Sequence, residues 1–548
     1  MYSVDISNAH ELLRYHDLFH GDLPEIEAEI SKLNVNKAIS IICELIAVRL
    51  RMLTTNVFGI ECRIPLETAL KQLIGIDPFA EGGDCAKSIL HKEKHIISLQ
   101  CLLILLKYVI LHGNLQTLSD MDYQITDADY IQIIKLNLII AEKLDKSFSD
   151  EDIDMSHFVY GNYHVNYNRN VANAFLRSFY MLEIVSRDKG NFEEDAKEEY
   201  RNYYDDFTNQ YNYTPTEYLS FLFWELSAYY SDNPKLSYCS IWRNIDSSYN
   251  NALKKEKALQ IIHDLMKTPD CYYDWAMETK DSHWDFSDFS AYPFLSDADQ
   301  SYISISDYTL RNCFFEKLFW MIRNCYSVED SRCMAFYGRL FEKYVQALSE
   351  NAVDQNDELT YIPEFTASNK KSSDAYIRKG QSLLAVEMKG YSILQDTLTK
   401  NESIDRNIEK LFIKPVLQAD KAFNFFDNSG GYFDGIDEVY IISVTMDSVN
   451  AVPAYLESAY KQIEDKKKSI KVKYVFNLCI EEYEMLMYLV EKGFDIFQLL
   501  AAYYSKAQLL PFSSFLHDQI NEPIKMTSFM RDMYTLACTY MKKCHGIE

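Results

Sequence analysis

Glycine and proline are scarce, at 16 and 12 of 548 residues. That excludes collagen-like and low-complexity architecture, which need those residues in bulk. The 12 cysteines include no CxxC pair and are spread thinly, a pattern expected of a reducing cytoplasm and unlike the disulfide framework of a small secreted domain. Long hydrophobic runs are missing too. The most apolar window, residues 95–113, is interrupted by Gln100 and Lys107; it falls short of the ~18 apolar residues of a spanning helix and reads as a buried helix. The N-terminus, MYSVDISNAHELLRYHD, lacks the basic and apolar regions of a secretory signal. With no GxxxxGK[ST], GxGxxG or GxSxG, nothing points to an NTPase, a dinucleotide enzyme or a serine hydrolase.

What is present is an ordinary globular composition, 48% hydrophobic and 25% charged, in a chain long enough for two or three domains. The net charge of −26 weighs against nucleic-acid binding, but it is unevenly spread. Residues 331–548 hold 25 Lys+Arg against 30 Asp+Glu, so nearly all the excess acidity lies before residue 331.

Residues 1–290 read as helices. Segments 36–53, 128–144, 170–185 and 215–230 carry apolar residues at i, i+3 and i+4 spacing. Residues 281–307 form a polar junction with a short alternating SYISIS, followed by a helix over 310–326. The texture then changes. An amphipathic helix over 334–350 precedes the strand-like runs LTYIPEF, SDAYIRK and SLLAVEMKG. Next come a helix over 404–427 broken or restarted at Pro415, EVYIISVTM, a helix over 454–466, KVKYVFNLCI, and a final helical region.

The chemistry concentrates in SSDAYIRKGQSLLAVEMKG, residues 372–390. Gly380-Gln381 suits a two-residue type II′ hairpin turn. With Lys379 and Ser382 flanking it, Asp374 falls opposite Glu387, Cβ atoms about 5 Å apart, and Lys389 shares the strand face of Glu387. Opposed carboxylates repel, so a fold that keeps them needs a cation or a shared proton. Hard oxygen ligands at that separation suit Mg²⁺ or Mn²⁺, and a neighbouring ammonium completes the equipment of metal-assisted phosphodiester hydrolysis. The bare pattern of Asp followed by Glu-x-Lys also fits Asp264, Glu278 and Lys280, and Asp447, Glu464 and Lys466. Only the first set combines a hairpin, the apolar run LLAV before the Glu and an acidic helix upstream.

Over roughly residues 334–480 this arrangement resembles the PD-(D/E)xK nuclease superfamily, the restriction-endonuclease-like fold. The resemblance implies that Asp374 and Glu387 hold metal, assisted by the Met388 carbonyl, and that Lys389 positions the attacking water. Glu342, in GRLFEKYV on the helix before the sheet, would bind a water or a second metal. Ser373 stands where the family name has Pro, and Ala422 where the exonuclease branch has Tyr; Gln418 would contact the site. Lys370, Lys371, Arg378 and Lys379 are the nearest candidate phosphate contacts, with a second basic group at Lys461, Lys466, Lys467, Lys468, Lys471 and Lys473.

The expected fold is therefore α+α/β, a large all-helical N-terminal region followed by an α/β restriction-endonuclease-like domain with a central mixed sheet. Residues 1–290 would be an acidic sensing or interaction region, 291–333 a junction and connecting helix, and 334–548 the nuclease domain with C-terminal helices. The expected activity is a cytoplasmic nuclease dependent on Mg²⁺ or Mn²⁺, with DNA favoured by the resemblance and RNA open. The architecture resembles prokaryotic anti-phage defence nucleases. Expected partners are nucleic acid, a second copy in a homodimer, and a partner subunit or phage trigger on the helical region, with no membrane. Two other readings stand beside it: a non-catalytic nucleic-acid or protein interaction scaffold with a degenerate nuclease fold, and a HEPN-like ribonuclease using Arg14 and His20 of RYHDLFH. Cys62, Cys85, His91 and His95 lack the close Cys pair of a zinc site and read as core cysteines and surface histidines.

Overall fold

The computed structural model describes residues 11–19, 21–53, 94–95, 97–119, 124–150, 170–230, 242–244, 255–297, 301–390, 404–429, 432–447, 449 and 453–544. His20, Cys62, Cys85 and His91 lie outside the described residues. The chain divides into two compact units, Met1–Ile153 with Phe221–Lys317, and Asp154–Ser220 with Leu318–Glu548.

In the first unit, helices Val35–Leu53, Leu99–His112 and Asp127–Asp150 pack on one another. The apolar window becomes the second of these, and the lysine that interrupts it is accommodated. Lys107 is 1% exposed, its ammonium 4.5 Å from the Trp275 ring centre and donating to Thr279 Oγ1 at 2.9 Å. The all-helical expectation fails here. Arg243–Asn244, Ser301–Ser304, Phe294–Ser296 and Met266–Lys267 form a four-stranded sheet in that order. Ser301–Ser304 falls in the alternating SYISIS, whereas the other three strands, of two or three residues, leave too little alternation to be read against a helical background. Among the described residues no helix is long and apolar enough to cross a membrane, and the described cysteines are free thiols.

The second unit holds the proposed chemistry. Helix α1, Ser331–Val353, starts at an Asp330 cap whose carboxylate accepts the Arg332 N–H. It buries Phe336, Leu340, Phe341, Tyr344 and Leu348 on one stripe. Strands β1 (Thr360–Pro363), β2 (Ala375–Lys379) and β3 (Ser382–Lys389) follow as an antiparallel meander. Helix α2, Lys414–Ser429, leads to β4, Glu438–Thr445, and helix α3, Pro453–Lys466, leads to β5, Val472–Cys479; both strands join in parallel. The sheet order is β5-β4-β3-β2-β1. Pro415 sits in the first turn of α2, directly after a π-helical stretch Glu409–Ile413, and the helix runs through it from Ile404 without a break.

β3 and β4 are buried along nearly their whole length, which explains their continuous apolar character. Tyr376, Leu383, Ala385, Val439 and Ile441 share a core with Val416, Ala419 and Phe423 of α2 and Leu456 and Ile463 of α3. α1 packs on β1, on β3 and on helix α4, Ile480–Glu491. Residues 170–220, sequence neighbours of the acidic helices, belong with this unit. Arg177, 1% exposed, donates to Glu484 of α4 at 2.6 Å, and Glu484 also receives the Tyr344 hydroxyl of α1 at 2.7 Å. Arg201 binds the Asp330 cap through Nε and Nη2 at 2.9–3.0 Å. The contact-based units therefore cut across a linear division at residue 290.

The end of β3 meets α1 at two glycines. A Cβ on Gly390 would lie 3.0 Å from the Phe341 Cβ and 3.2 Å from the Gly338 Cα, whereas a Cβ on Gly338 would meet nothing within 4 Å. Gly390→Ala should therefore cost about 1–3 kcal/mol by forcing helix and strand apart. Gly338→Ala should be neutral or stabilising by up to about 1 kcal/mol through helix propensity. Urea midpoints of the two variants test the contrast; equal midpoints would refute the close approach.

Candidate active site

The hairpin forms in the expected register, Lys379 opposite Ser382 and Ala375 opposite Val386. Gly380 has φ +56° while Gln381 stays out of the left-handed region, the pattern of a type II′ turn and not of type I′. One position beyond the last ladder pair, Asp374 has Glu387 of β3 beside it. The β1–β2 register, Ala375 opposite Pro363, puts Glu364 on its other side in the same way. Three carboxylates thus lie in a row across three adjacent strands.

Each acid is drawn to a donor of its own chain. Asp374 Oδ2 accepts the Met388 N–H at 2.6 Å. Lys389 Nζ donates to Glu387 Oε2 at 3.3 Å. Arg339 Nη1 donates to Glu342 Oε2 at 3.2 Å and its Nε to Glu199 Oε2 at 3.1 Å. Lys371 lies 3.4 Å from Glu364. From α1, Gln346 Nε2 donates to the Asp374 carbonyl at 3.3 Å, tying the helix to the start of β2.

These donors do not cancel the cost of crowding. Burial pushes the Glu387 carboxyl up to about 8, and the charge of Asp374 adds to the rise against Lys389. Burial likewise carries Glu342 up to about 7, again helped by Asp374 and opposed by Arg339. Burial raises Asp374 and Glu364 as well, with Lys389 the main opposing charge at the first and Lys371 at the second. Burial pulls the Lys389 ammonium down, but Glu387, Asp374 and Glu342 outweigh it, so this lysine stays protonated above its ordinary value.

Among the described residues no three His, Cys, Asp or Glu side chains converge as a ready ligand set, since the acids turn to the donors just named. In donor chemistry the group fits a hard divalent cation. Glu387 is 0% exposed, the only donors facing its carboxyl among the described residues being the Lys389 ammonium and the Ser373 hydroxyl, and Asp374, Glu387 and Glu342 are mutually destabilised oxygen donors that a cation would relieve. Met388 takes part through its N–H in the bond to Asp374.

The other candidate contacts divide. Lys370 and Lys371 sit on a small hairpin, Thr366–Ala367 with Lys370–Lys371, turned by Ser368 and Asn369 at positive φ. Arg378 and Lys379 lie at the far end of β2, roughly 13 Å from Asp374 at ~3.3 Å per residue. There Arg378 donates to the carbonyls of Gly380 and Asp434, and Lys379 pairs with Glu358 and Asp495. Gln418 is exposed on α2. In the second basic group, Lys467 and Lys471 pair with Glu464 and Asp427. Arg14 pairs with Asp145 and Asp17. Glu364, Arg339 and Glu199 are additions that sequence reading missed. Glu364 follows a strand-like run, but the turn-rich stretch 364–374 hides its register, and Glu199 reaches the site only through tertiary packing. Set against models of known families, curated proteins and solved structures, the chain matches none.

Carboxyls raised in the folded state stabilise it while protonated, so their contribution is full below about 4.5 and lost as pH rises through about 7 to 8. In EDTA, the urea midpoint of the second unit should fall between pH 5 and 8, and Glu387→Gln should flatten that fall. A midpoint with the same pH dependence in wild type and variant would contradict the charge crowding.

Proposed function

We propose that this protein is a divalent-metal-dependent nuclease hydrolysing phosphodiester bonds, with Asp374, Glu387, Glu342 and Lys389 at its centre. The observation that carries the proposal is the register that sets Asp374 beside Glu387, with the Lys389 ammonium 3.3 Å from Glu387 and Glu342 approaching from α1. The meander followed by two parallel strands, with α1 ahead of it, supports the resemblance to the PD-(D/E)xK superfamily.

In this reading Asp374 and Glu387 would hold Mg²⁺ or Mn²⁺, with Glu342 in support. The bound ion would supply Lewis-acid polarisation of the phosphoryl oxygen and neutralise developing charge. Lys389, held protonated by its acidic neighbours, orients the attacking water and faces negative charge; it is not a base at neutral pH. Glu342, on α1 beside Arg339, would be the carboxylate that takes a proton from that water. DNA is the favoured substrate, and action against phage or plasmid DNA belongs to the same proposal by architectural analogy.

One observation favours a second reading. The acids are engaged by Lys389, Arg339 and a backbone N–H, and no converged ligand set stands among the described residues. A non-catalytic scaffold with a degenerate nuclease fold would look the same and would bind nucleic acid without regard to metal.

Incubating supercoiled plasmid, linear duplex, single-stranded DNA and RNA with Mg²⁺, Mn²⁺ or EDTA separates the two. The proposal expects metal-dependent cleavage that drops at least about 10²-fold in both Glu387→Ala and Lys389→Ala. Metal-insensitive binding with no cleavage in any combination would establish the scaffold instead.

A further inference from the structure

Arg339, Glu342 and Lys343, on one flank of α1, line a cavity of about 140 Å³ with Glu364 and Lys371 on its other wall. The two basic residues of the helix flank differ from the other cations near the acids. Lys389 is committed to Glu387 and Lys371 to Glu364. Arg339 uses Nε and Nη1 on Glu199 and Glu342, which leaves its Nη2 without a hydrogen-bond partner among the described residues. Lys343, one helical turn further on, has neither an ion pair nor a hydrogen bond among the described residues. Two positively charged donor groups are thus open beside the cavity, four residues apart on the same helix face.

We propose that Arg339 Nη2 and Lys343 Nζ form an anion subsite for one backbone phosphate of a nucleic-acid strand, adjacent to the phosphodiester under attack. The assignment of that phosphate to a strand rests on the nuclease reading; the anion subsite itself does not. Size supports a single phosphate. The pocket, at about 140 Å³, is well below the ~300 Å³ at which larger ligands are enclosed. A guanidinium edge beside an ammonium is also the donor pair that phosphate oxygens select. Glu193, Glu342 and Glu364 share the lining, so an anion enters favourably only when their charge is compensated. Divalent cation and phosphate should therefore bind cooperatively, each raising the affinity of the other.

The test uses the full chain. Isothermal titration with inorganic phosphate, in Mg²⁺ and in EDTA, would be run on wild type, Lys343→Met, Lys343→Arg and Arg339→Met. Anisotropy of a short single-stranded oligonucleotide across salt concentrations would accompany it. Lys343 has no partner to lose among the described residues, so its variants keep the test informative if Arg339→Met fails to fold. Phosphate should bind more tightly in Mg²⁺, weaken about tenfold in each Met variant and recover in Lys343→Arg. The salt slope for the oligonucleotide should fall by about 0.7 per cation removed. Phosphate binding through these side chains without cleavage of any nucleic acid would uphold the subsite and sink the nuclease reading. Cleavage lost in Glu387→Ala, with phosphate and oligonucleotide binding unchanged in Lys343→Met, would overturn the subsite and leave that reading intact. A wild type that binds no phosphate in either condition would also overturn it.

Discussion

Antiparallel pairing of Ala375–Lys379 with Ser382–Lys389 brings the carboxylates of Asp374 and Glu387 side by side, and much of the second unit answers their repulsion. Two unit charges about 5 Å apart repel by about 3 kcal/mol at an effective dielectric near 20. An ammonium 3.3 Å from Glu387 offsets a term of that size. It does not offset three or four acids, because Glu342 and Glu364 add their charges around Asp374. Burial, with this residual imbalance added to it, explains why the Glu387 and Glu342 carboxyls are raised toward neutral pH.

The second cation, Arg339, connects this charge problem to a distant part of the chain. Its guanidinium bridges Glu342 to Glu199, and residues near Glu199 also fix the start of the same helix. Arg201 grips Asp330, the cap of α1, and the Tyr203 hydroxyl donates to the Cys333 carbonyl. Further along, the buried Arg177–Glu484 pair is completed by Tyr344 of α1 and by Asn173. Glu484 thus accepts from Asn173, Arg177 and Tyr344 together, which couples three separate helices. The helix that delivers Glu342 is consequently held at its start and along its middle by residues 170–220, and its approach to β3 is set by the glycine contact at Gly390.

Much of the local structure was legible because it depends on short-range rules. Gly380-Gln381 announced the turn, and the turn set the register of Asp374 against Glu387. The period of apolar residues located α1, α2 and α3 to within a few residues. Other features were hidden for identifiable reasons. Of the small sheet in the first unit only Ser301–Ser304, in SYISIS, shows alternation; Arg243–Asn244, Met266–Lys267 and Phe294–Ser296 are too short. Glu364 is separated from Asp374 by a small hairpin whose positive-φ turn residues, Ser368 and Asn369, are not glycines. Lys107 looks like a flaw in an apolar helix until Trp275 and Thr279 are brought over it.

Sequence by itself determined the helical and strand elements of the second unit, the hairpin register, and with it the pairing of two carboxylates beside a lysine. These follow from side-chain periodicity and turn chemistry, which act over a few residues. Tertiary structure alone decided which acids joined that pair, which cations were already taken, and which two were left open on the flank of α1. It also decided that residues 170–220 serve this unit. Those outcomes depend on burial and on contacts between residues more than a hundred positions apart, such as Glu199 with Arg339 and Arg177 with Glu484. Charge and hydrophobicity along a chain say that a side chain needs a partner; only packing says which one it finds.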